Sequence, residues 1–382
     1  MKVAGLFAGI GGLELGLARA GHHSVHLCEI WEPARAVLQK QFPGVPLSPD
    51  ISKLEDLPED TEILAAGFPC QDLSQAGRTH GIEGSRSGLV SNVFRLIDKR
   101  RVPVVVLENV SFMLQLNRGQ AMTRLVEAFE ERGYRWAYRV VNSLAFLQQR
   151  RERVFLVATL NDIDPRDVLF ADNAEWPEQT TSLETHAHGF YWTEGTRGLG
   201  WAPNGIPTLK NGSTVGISSP PAILLPNGNI IKPDIRDAER LQGFEPGWTA
   251  AAESVDRSSF RWSLVGNAVT VPVAEWLGKR LAEPGKCDRE RERPLADNTR
   301  WPKAAAGSDL GRLAVEIGSA PLYRERADLH EFLNFPGTPL SSRATRGFLK
   351  RAESSSLRFA PGFLDRVRAH LDTMEPLSIA AQ

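Results

Sequence analysis

The sequence predicts an α/β protein built on a doubly wound parallel sheet, with a second, smaller, loop-rich β domain. Three observations carry this. Short apolar runs alternate with helical stretches from Met1 to Leu160. Those runs end on a glycine, a carboxylate or a Pro-Cys pair, which sets reactive residues along the edge where such sheets bind ligands. The alternation then breaks into a long stretch rich in Gly, Pro, Asn and Thr.

Taken in order, Lys2–Phe7 is an apolar run that closes in Ala8-Gly9-Ile10-Gly11-Gly12. Leu13, Leu15, Leu17 and Ala18 follow and Gly21 stops them, which reads as strand, tight turn and helix. Ser24–Cys28 is a second strand ending at Glu29. Glu62–Ala66 is a third, broken by Gly67-Phe68-Pro69. Val102–Leu107 is a fourth and ends at Glu108-Asn109; Val154–Thr159 is a fifth. Leu89–Lys99 and Gly119–Arg132 read as helices between them. Asn161–Pro233 carries Phe190, Tyr191, Trp192 and Trp201 without helical period, as expected of a β insertion. Helical pattern returns at Ile235–Gly243, and Val269–Val273 leads into a helix through Leu281. Glu283–Arg300 is charged and reads as a linker, with helices following at Arg343–Glu353 and Gly362–Leu371. The resulting scheme is a first part at 1–160, an insertion at 161–234, a return segment at 235–284 and an extension of unassigned role at 285–382.

A chain of 382 residues implies two units. No apolar run approaches the roughly 20 residues of a membrane helix, and the N-terminus lacks the shape of a signal peptide. Cys28, Cys70 and Cys287 form neither a disulfide framework nor a zinc spacing, so a reducing cytoplasm and no metal are expected. The net charge of −1 argues against a general nucleic-acid binder. Its distribution is uneven: Arg95 to Arg153 holds 12 Lys/Arg against 6 Asp/Glu, and Asn161 to Glu194 holds 1 against 8. Phosphate binding follows that local field, although charge alone favours solvated helix faces.

Four motifs carry chemistry. The turn Phe7-Ala8-Gly9-Ile10-Gly11-Gly12 lets backbone approach a ligand between a strand and a helix N-terminus. Glu29, about 20 residues on, can bind ribose hydroxyls. Such a turn serves a dinucleotide, adenosylmethionine or helix packing alone; Glu14 stands where the third dinucleotide glycine would fall, which turns the reading away from NAD. Cys70 follows Pro69 at a strand end and precedes Gln75–Ser87, a Gly- and Arg-rich stretch expected to be a mobile loop, where a reactive thiolate is at home. Glu108 closes a Val-rich strand, as a functional group or an ion-pair partner. Arg151 and Arg153 alternate on the run Gln149–Val157 and are expected to share one face, fit for phosphate, a carboxylate or a carbonyl.

The ordered set resembles the cytosine-5 DNA methyltransferases. Its parts are Phe7-x-Gly9-x-Gly11, Glu29, Asp50-Ile51, Pro69-Cys70-Gln71, Glu108-Asn109-Val110, Gln149-x-Arg151-x-Arg153, Arg240-Leu241-Gln242-Gly243-Phe244 and Gly266-Asn267-Ala268-Val269, and it spans Met1 to Leu281. The resemblance implies a Rossmann-like methyltransferase sheet with S-adenosylmethionine lined by Phe7, Gly9, Gly11, Glu29, Ile30, Asp50, Ile51, Pro69, Leu89 and Asn267. Cys70 would attack carbon 6 of a flipped-out cytosine, and Glu108 would hold its nitrogen 3 and amine. Arg151 and Arg153 would position that site. Residues 161–233 would read the DNA, with Thr208, Lys210, Asn211, Ser213 and Thr214 as contacts, joined by Gln71, Ser74 and Arg86; the acidic part Asn161–Glu194 would face away. A prokaryotic cytoplasmic monomer is implied, acting on double-stranded DNA beside a restriction or other defence protein.

Three departures stand out. Ala268 replaces a usual Ser, Leu264 a frequent Gln and Asp237 a common Glu; none removes a catalytic group. An RNA methyltransferase of this scaffold would have a shorter recognition region. A non-catalytic binder would have lost Cys70, Glu108 or Arg151, and an oxidoreductase leaves the Cys, Glu and Arg set unexplained.

Overall fold

The computed structural model describes residues 1–68, 88–178, 180–210, 220–296 and 300–380. The chain divides into two compact units. Unit 1 is Met1–Ala145, Glu152–Trp176 and Ala268–Tyr323; unit 2 is Phe146–Arg151, Pro177–Asn267 and Arg324–Gln382.

Among the described residues, unit 1 holds a ten-stranded sheet. Its strands are β1 (Lys2–Leu6), β2 (His23–Cys28), β3 (Leu47–Ser48), β4 (Ile63–Gly67), β5 (Val104–Val110), β6 (Arg135–Asn142), β7 (Glu152–Thr159), β8 (Glu292–Pro294), β9 (Ala304–Ser308) and β10 (Gly311–Val315). They lie in the order β8-β10-β9-β6-β7-β5-β4-β1-β2-β3. From β3 to β5 every pairing is parallel. From β5 to β8 every pairing is antiparallel. The expected doubly wound half is therefore present, and an antiparallel half is joined to it at β5.

The central strands β1, β4 and β5 are buried on both faces, which is why they read as unbroken apolar runs. Helices α1 (Gly12–Arg19), α2 (Glu32–Gln41), α3 (Leu89–Arg100), α4 (Gln120–Glu130), α5 (Pro165–Leu169) and α6 (Val271–Ala282) complete the unit. α1 and α6 approach closely because glycines face the contact: a Cβ on Gly16 would lie 2.4 Å from the Ala274 Cβ, and one on Gly278 2.7 Å from the Ala20 Cβ.

β6 escaped the sequence reading because its eight residues include two arginines. Arg139 is fully buried, and its guanidinium donates to the carbonyls of Gly318, Leu169 and Asp172. A buried cation is tolerated when its donors are filled in this way. The stretch read as a linker supplies edge strand β8, and residues 304–315 add β9 and β10.

Unit 2 is built on a five-stranded antiparallel sheet of Ala202–Pro203, His188–Phe190, Ala222–Leu224, Ile230–Lys232 and Thr338–Pro339. Helices Ser342–Glu353 and Phe363–Ala380 cover it, and Phe190, Leu224, Ile230, Phe348, Phe363 and Val367 share one core. The extension drawn from sequence is thus divided between the two units. Residues 161–176, grouped with the insertion, belong to unit 1. The physical reason is pairing: residues 304–307 pair with β6, 311–315 and then 292–294 add on outside them, and 338–339 find a partner on Ile231–Lys232.

One buried acid lies beneath the glycine turn. Glu14 is 2% exposed, and its Oε2 has no hydrogen-bond partner. Gly5 makes the room, since a Cβ there would come 2.2 Å from Glu14 Oε1. Burial, with the nearby Glu29 charge, pushes the Glu14 carboxyl from an ordinary 4.5 up to about 8. The folded chain therefore holds a proton that the unfolded chain releases between those values, and stability falls as pH rises through that interval. Glu14→Gln is expected to flatten this slope. Thermal melts at pH about 5 and about 8.5 check it: the variant should lose less of its melting temperature than the parent, and equal losses would remove Glu14 as the cause.

Candidate active site

The turn after β1 is strained in a regular way. Phe7, Gly9 and Gly11 have φ of 53°, 56° and 80°, the left-handed region that a side chain enters at a cost. The amide of Gly11 donates to the Ala8 carbonyl at 2.8 Å and closes the turn. Glu29, at the end of β2, anchors it from the side. Its Oε2 accepts from the Gly9 amide and its Oε1 from the Trp31 amide, both at 2.8 Å. Each oxygen keeps a lone pair for a ligand hydroxyl.

The two glycines serve different ends. A Cβ on Gly11 would come 2.3 Å from the Phe42 ring, whereas one on Gly9 would meet nothing within 4 Å. Gly11 is shaped by packing and Gly9 borders open space. Ile30 stands beside that space, 71% exposed. Asp50 caps the turn at Ile51–Lys53 by accepting from the Ser52 amide and hydroxyl, which hold its carboxyl below the ordinary carboxylate range. Ile51 is buried and Leu89 half-buried at the start of α3. These are the sequence-selected cofactor residues of unit 1. Asn267 lies exposed at the end of helix Phe260–Asn267 in unit 2.

Glu108 and Arg153 meet in unit 1. Glu108 pairs opposite Phe155 in the antiparallel β5–β7 register, so Arg153, two residues away, lies on the same face. Arg153 Nε is 3.2 Å from Glu108 Oε1, with both side chains largely buried. Next to them Asn109 Nδ2 donates to the Phe68 carbonyl at 3.0 Å, fixing the chain just before residue 69. Sequence reasoning passed over Asn109 as a site residue; an amide between a carboxylate and a strand end was the available signal.

Arg151 follows a different course from Arg153. It precedes β7, belongs to unit 2, is 2% exposed and donates to the Leu209 carbonyl at 3.1 Å. The expected alternation on one strand does not extend to it. Gln149 is completely buried and its amide is the hub of this cluster. It accepts from the Leu209 amide and donates to the Leu241 carbonyl and Gln242 Oε1. Thr208 donates to the Arg150 carbonyl, and Lys210 Nζ lies 2.6 Å from Glu194 Oε1 and 3.6 Å from the centre of the Tyr191 ring.

Pro69, Cys70, Gln71, Ser74 and Arg86, with the Gln75–Ser87 stretch, lie outside the described residues, as do Asn211, Ser213 and Thr214. The other two cysteines are buried, and burial first of all pushes both thiols up to about 12. Among the described residues no His, Cys, Asp and Glu group could hold a metal.

Residues 1–198 match the family model described as C-5 cytosine-specific DNA methylase. The chain is 47% identical over 365 residues to the Type II methyltransferase M2.BsuMI of Bacillus subtilis (strain 168), covering 92% of this chain and 93% of that protein. It is 31% identical over 172 residues to the Type II methyltransferase M.HhaI of Haemophilus parahaemolyticus, covering 44% of this chain and 52% of that one. The crystal structure of the S. pombe Dnmt2 methyltransferase is similar in fold, with a TM-score of 0.54 at 17% identity over 74% of this chain and 98% of that chain.

The two glycines give a direct contrast. Gly11→Ala should destabilise the fold by more than about 2 kcal/mol, from the ring clash added to left-handed strain. Gly9→Ala should cost about 1 kcal/mol, from strain alone. Urea unfolding of both variants measures the difference, and equal losses would show that the space around Gly9 is filled.

Proposed function

The chain belongs to the C-5 cytosine-specific DNA methylase family and is a DNA (cytosine-5)-methyltransferase; on that premise we propose the donor, the residues and the course of the reaction. The donor is S-adenosylmethionine, seated over Gly9 against Glu29 and Ile30, with Phe7, Gly11, Asp50, Ile51, Pro69, Leu89 and Asn267 completing the site. The open space at Gly9 and the backbone-anchored Glu29 carboxylate fit its adenosyl part. When bound it supplies an electrophilic methyl on a sulfonium.

The observation that carries the catalytic reading is the buried pair of Glu108, near the carboxyl end of β5, with Arg153 on β7. The target cytosine leaves the duplex, because its ring atoms cannot be reached inside the stack. The Cys70 thiolate adds to carbon 6, and the carbon 5–carbon 6 electron pair moves toward carbon 5 and nitrogen 3. Glu108 holds nitrogen 3 and the exocyclic amine, stabilising the charge that develops there. Arg153 orients Glu108 toward the cytosine, and Arg151, bound to the Leu209 carbonyl, holds the chain that leads into it. Carbon 5 would take the methyl, the carbon–sulfur electron pair staying with the donor's sulfur, a base would remove the carbon 5 proton, and the thiolate would leave as the double bond returns. The high thiol pKa of Cys28 and Cys287 supports Cys70 as the nucleophile.

The part of the 161–233 insertion that lies in unit 2, residues 177–233, reads the target sequence, with Thr208, Lys210 and Ser213 among the contacts and Gln71, Ser74 and Arg86 on the DNA from the catalytic side. The substrate is double-stranded DNA, met by a monomer in a prokaryotic cytoplasm. No helix among the described residues is long and apolar enough to cross a membrane. The setting is a restriction–modification or related defence system, where a cognate nuclease is the natural partner.

The test is methyl transfer to duplex DNA, followed by DNA carrying 5-fluorocytosine. Fluorine cannot leave as a proton does, so the enzyme should stall as a covalent adduct stable to denaturation. Cys70→Ser should bind DNA, form no adduct and lose at least about 1000-fold in kcat, the scale of removing a nucleophile. Full turnover by Cys70→Ser would falsify the covalent route.

A further inference from the structure

The segment 211–219 is where the recognition reading places several base contacts, and both of its ends rest on one turn. On the side before it, the Tyr191 hydroxyl donates to the Thr208 carbonyl at 2.7 Å. Glu194 Oε1 lies 2.6 Å from Lys210 Nζ, and that ammonium sits 3.6 Å from the centre of the Tyr191 ring. On the side after it, Trp192 Nε1 donates to the Pro220 carbonyl at 2.9 Å. Three side chains of Tyr191–Glu194 thus fix residues 208, 210 and 220.

The turn does not hold itself in place by backbone bonds alone. Arg351, on helix Ser342–Glu353, donates from Nη2 to the Trp192 carbonyl at 2.8 Å and from Nε to the Glu194 carbonyl at 3.0 Å. A planar guanidinium spans the two carbonyls and sets their spacing as an ammonium could not. The same helix closes over Gly195, whose φ is 119° and where a Cβ would come 3.3 Å from the Phe348 ring. Phe348 is itself locked among Phe190 and Phe363. Helix Ser342–Glu353 lies beyond the residues that match the family model.

We propose that Arg351 is a specificity-determining positioning residue: through the Tyr191–Glu194 turn, the C-terminal helix sets the positions of residues 208, 210 and 220 and thereby the discrimination between DNA sequences. The inference rests on the reading of unit 2 as the part that reads DNA. Arg351 acts on the path of the chain and need not touch DNA. Its effect should therefore appear in the choice of sequence and leave the donor untouched.

The full-length enzyme is tested after its methylated sequence has been mapped by bisulfite sequencing. The quantity read is the ratio of kcat/KM on the mapped duplex to that on duplexes with one base pair of the site changed. Arg351→Met should lower this ratio about tenfold, the scale of losing charge-assisted hydrogen bonds. The KM for S-adenosylmethionine should stay unchanged. Arg351→Lys should fall between the two. Lys350→Met, which removes an equal charge from an exposed position of the same helix, should keep the full ratio. Trp192→Phe removes the bond to Pro220 while keeping an aromatic ring against the core, and should lower the ratio without Arg351 being altered, so a poorly folding Arg351→Met would not end the test. A parental ratio in folded Arg351→Met and Trp192→Phe, or an equal loss in Lys350→Met, overturns the proposal. Exchanging 211–219 for the segment of a relative that methylates another sequence separates the two readings. If the methylated sequence does not change, the recognition reading has failed. If it changes while Arg351→Met keeps its ratio, only the role of Arg351 has failed.

Discussion

Glu108 and Arg153 can meet because β7 runs against β5. The register sets Glu108 opposite Phe155, and alternation then puts Arg153 on the Glu108 face. A slip of one residue would turn that face over and leave the carboxylate without the guanidinium. Burying either charge alone costs several kcal/mol, on the order of the whole stability of a small domain. The antiparallel turn in the sheet order is therefore a chemical requirement as well as a topological one. It delivers a cation, from a strand the parallel winding would not place there, to the carboxyl end of β5.

The same strand marks the passage between the units. Unit 2 includes Phe146–Arg151 and unit 1 resumes at Glu152. Within unit 2, Ile206 and Pro207 pair in parallel with Gln149 and Arg150, and Leu209 is held at its amide by Gln149 and at its carbonyl by Arg151. Gln149 continues through Gln242 to the Val265 carbonyl. A glutamine amide offers two donors and one acceptor oxygen, and here they tie the segment at Leu209 to the one at Leu241–Gln242. The chain that enters β7 is thus fixed by the residues leading to 211–219 before it reaches Arg153. Glu152 lies between Arg151 and Arg153, so the proposed reading and catalytic parts are one residue apart along the chain.

Much of the catalytic half was legible in the sequence because its signals are local. A glycine with positive φ, a carboxylate at a strand end and an apolar run each announce themselves within a few residues, as at Gly9, Gly11, Glu29 and Glu108. The antiparallel half was not legible. β6 hides Arg135 and Arg139 among apolar residues, and the partners that make Arg139 acceptable are Leu169, Asp172 and Gly318, far along the chain. β9 reads as a run of small residues and gains its strand character only by pairing with β6. Arg151 looked like the neighbour of Arg153 on one face, and only the close of unit 2 around Leu209 gives it another direction. Lys210 was chosen as a cation for DNA, but its ammonium is engaged by Glu194 and Tyr191. A contact with phosphate would have to compete with that pair.

Charge counted along a window is incomplete for the same reason. Asn161–Glu194 carries eight acids against one arginine and was expected to face away from DNA as an acidic surface. In the fold the balance is met from elsewhere in each unit. In unit 1, Asp164 pairs with Arg166 and Arg289, Asp167 with Arg289, and Asp172 with Arg280. In unit 2, Glu184 pairs with Arg366 and Glu194 with Lys210. Most of these cations come from beyond residue 279, so the acidic stretch and the basic C-terminal third neutralise each other at close range. Surface pairs of this kind add little stability one by one. What they fix is position, because all but Asp164–Arg166 and Glu194–Lys210 join segments more than a hundred residues apart, and Glu194–Lys210 joins the turn to residue 210. The field that DNA would meet is what remains after these pairings, and it cannot be read from either stretch alone.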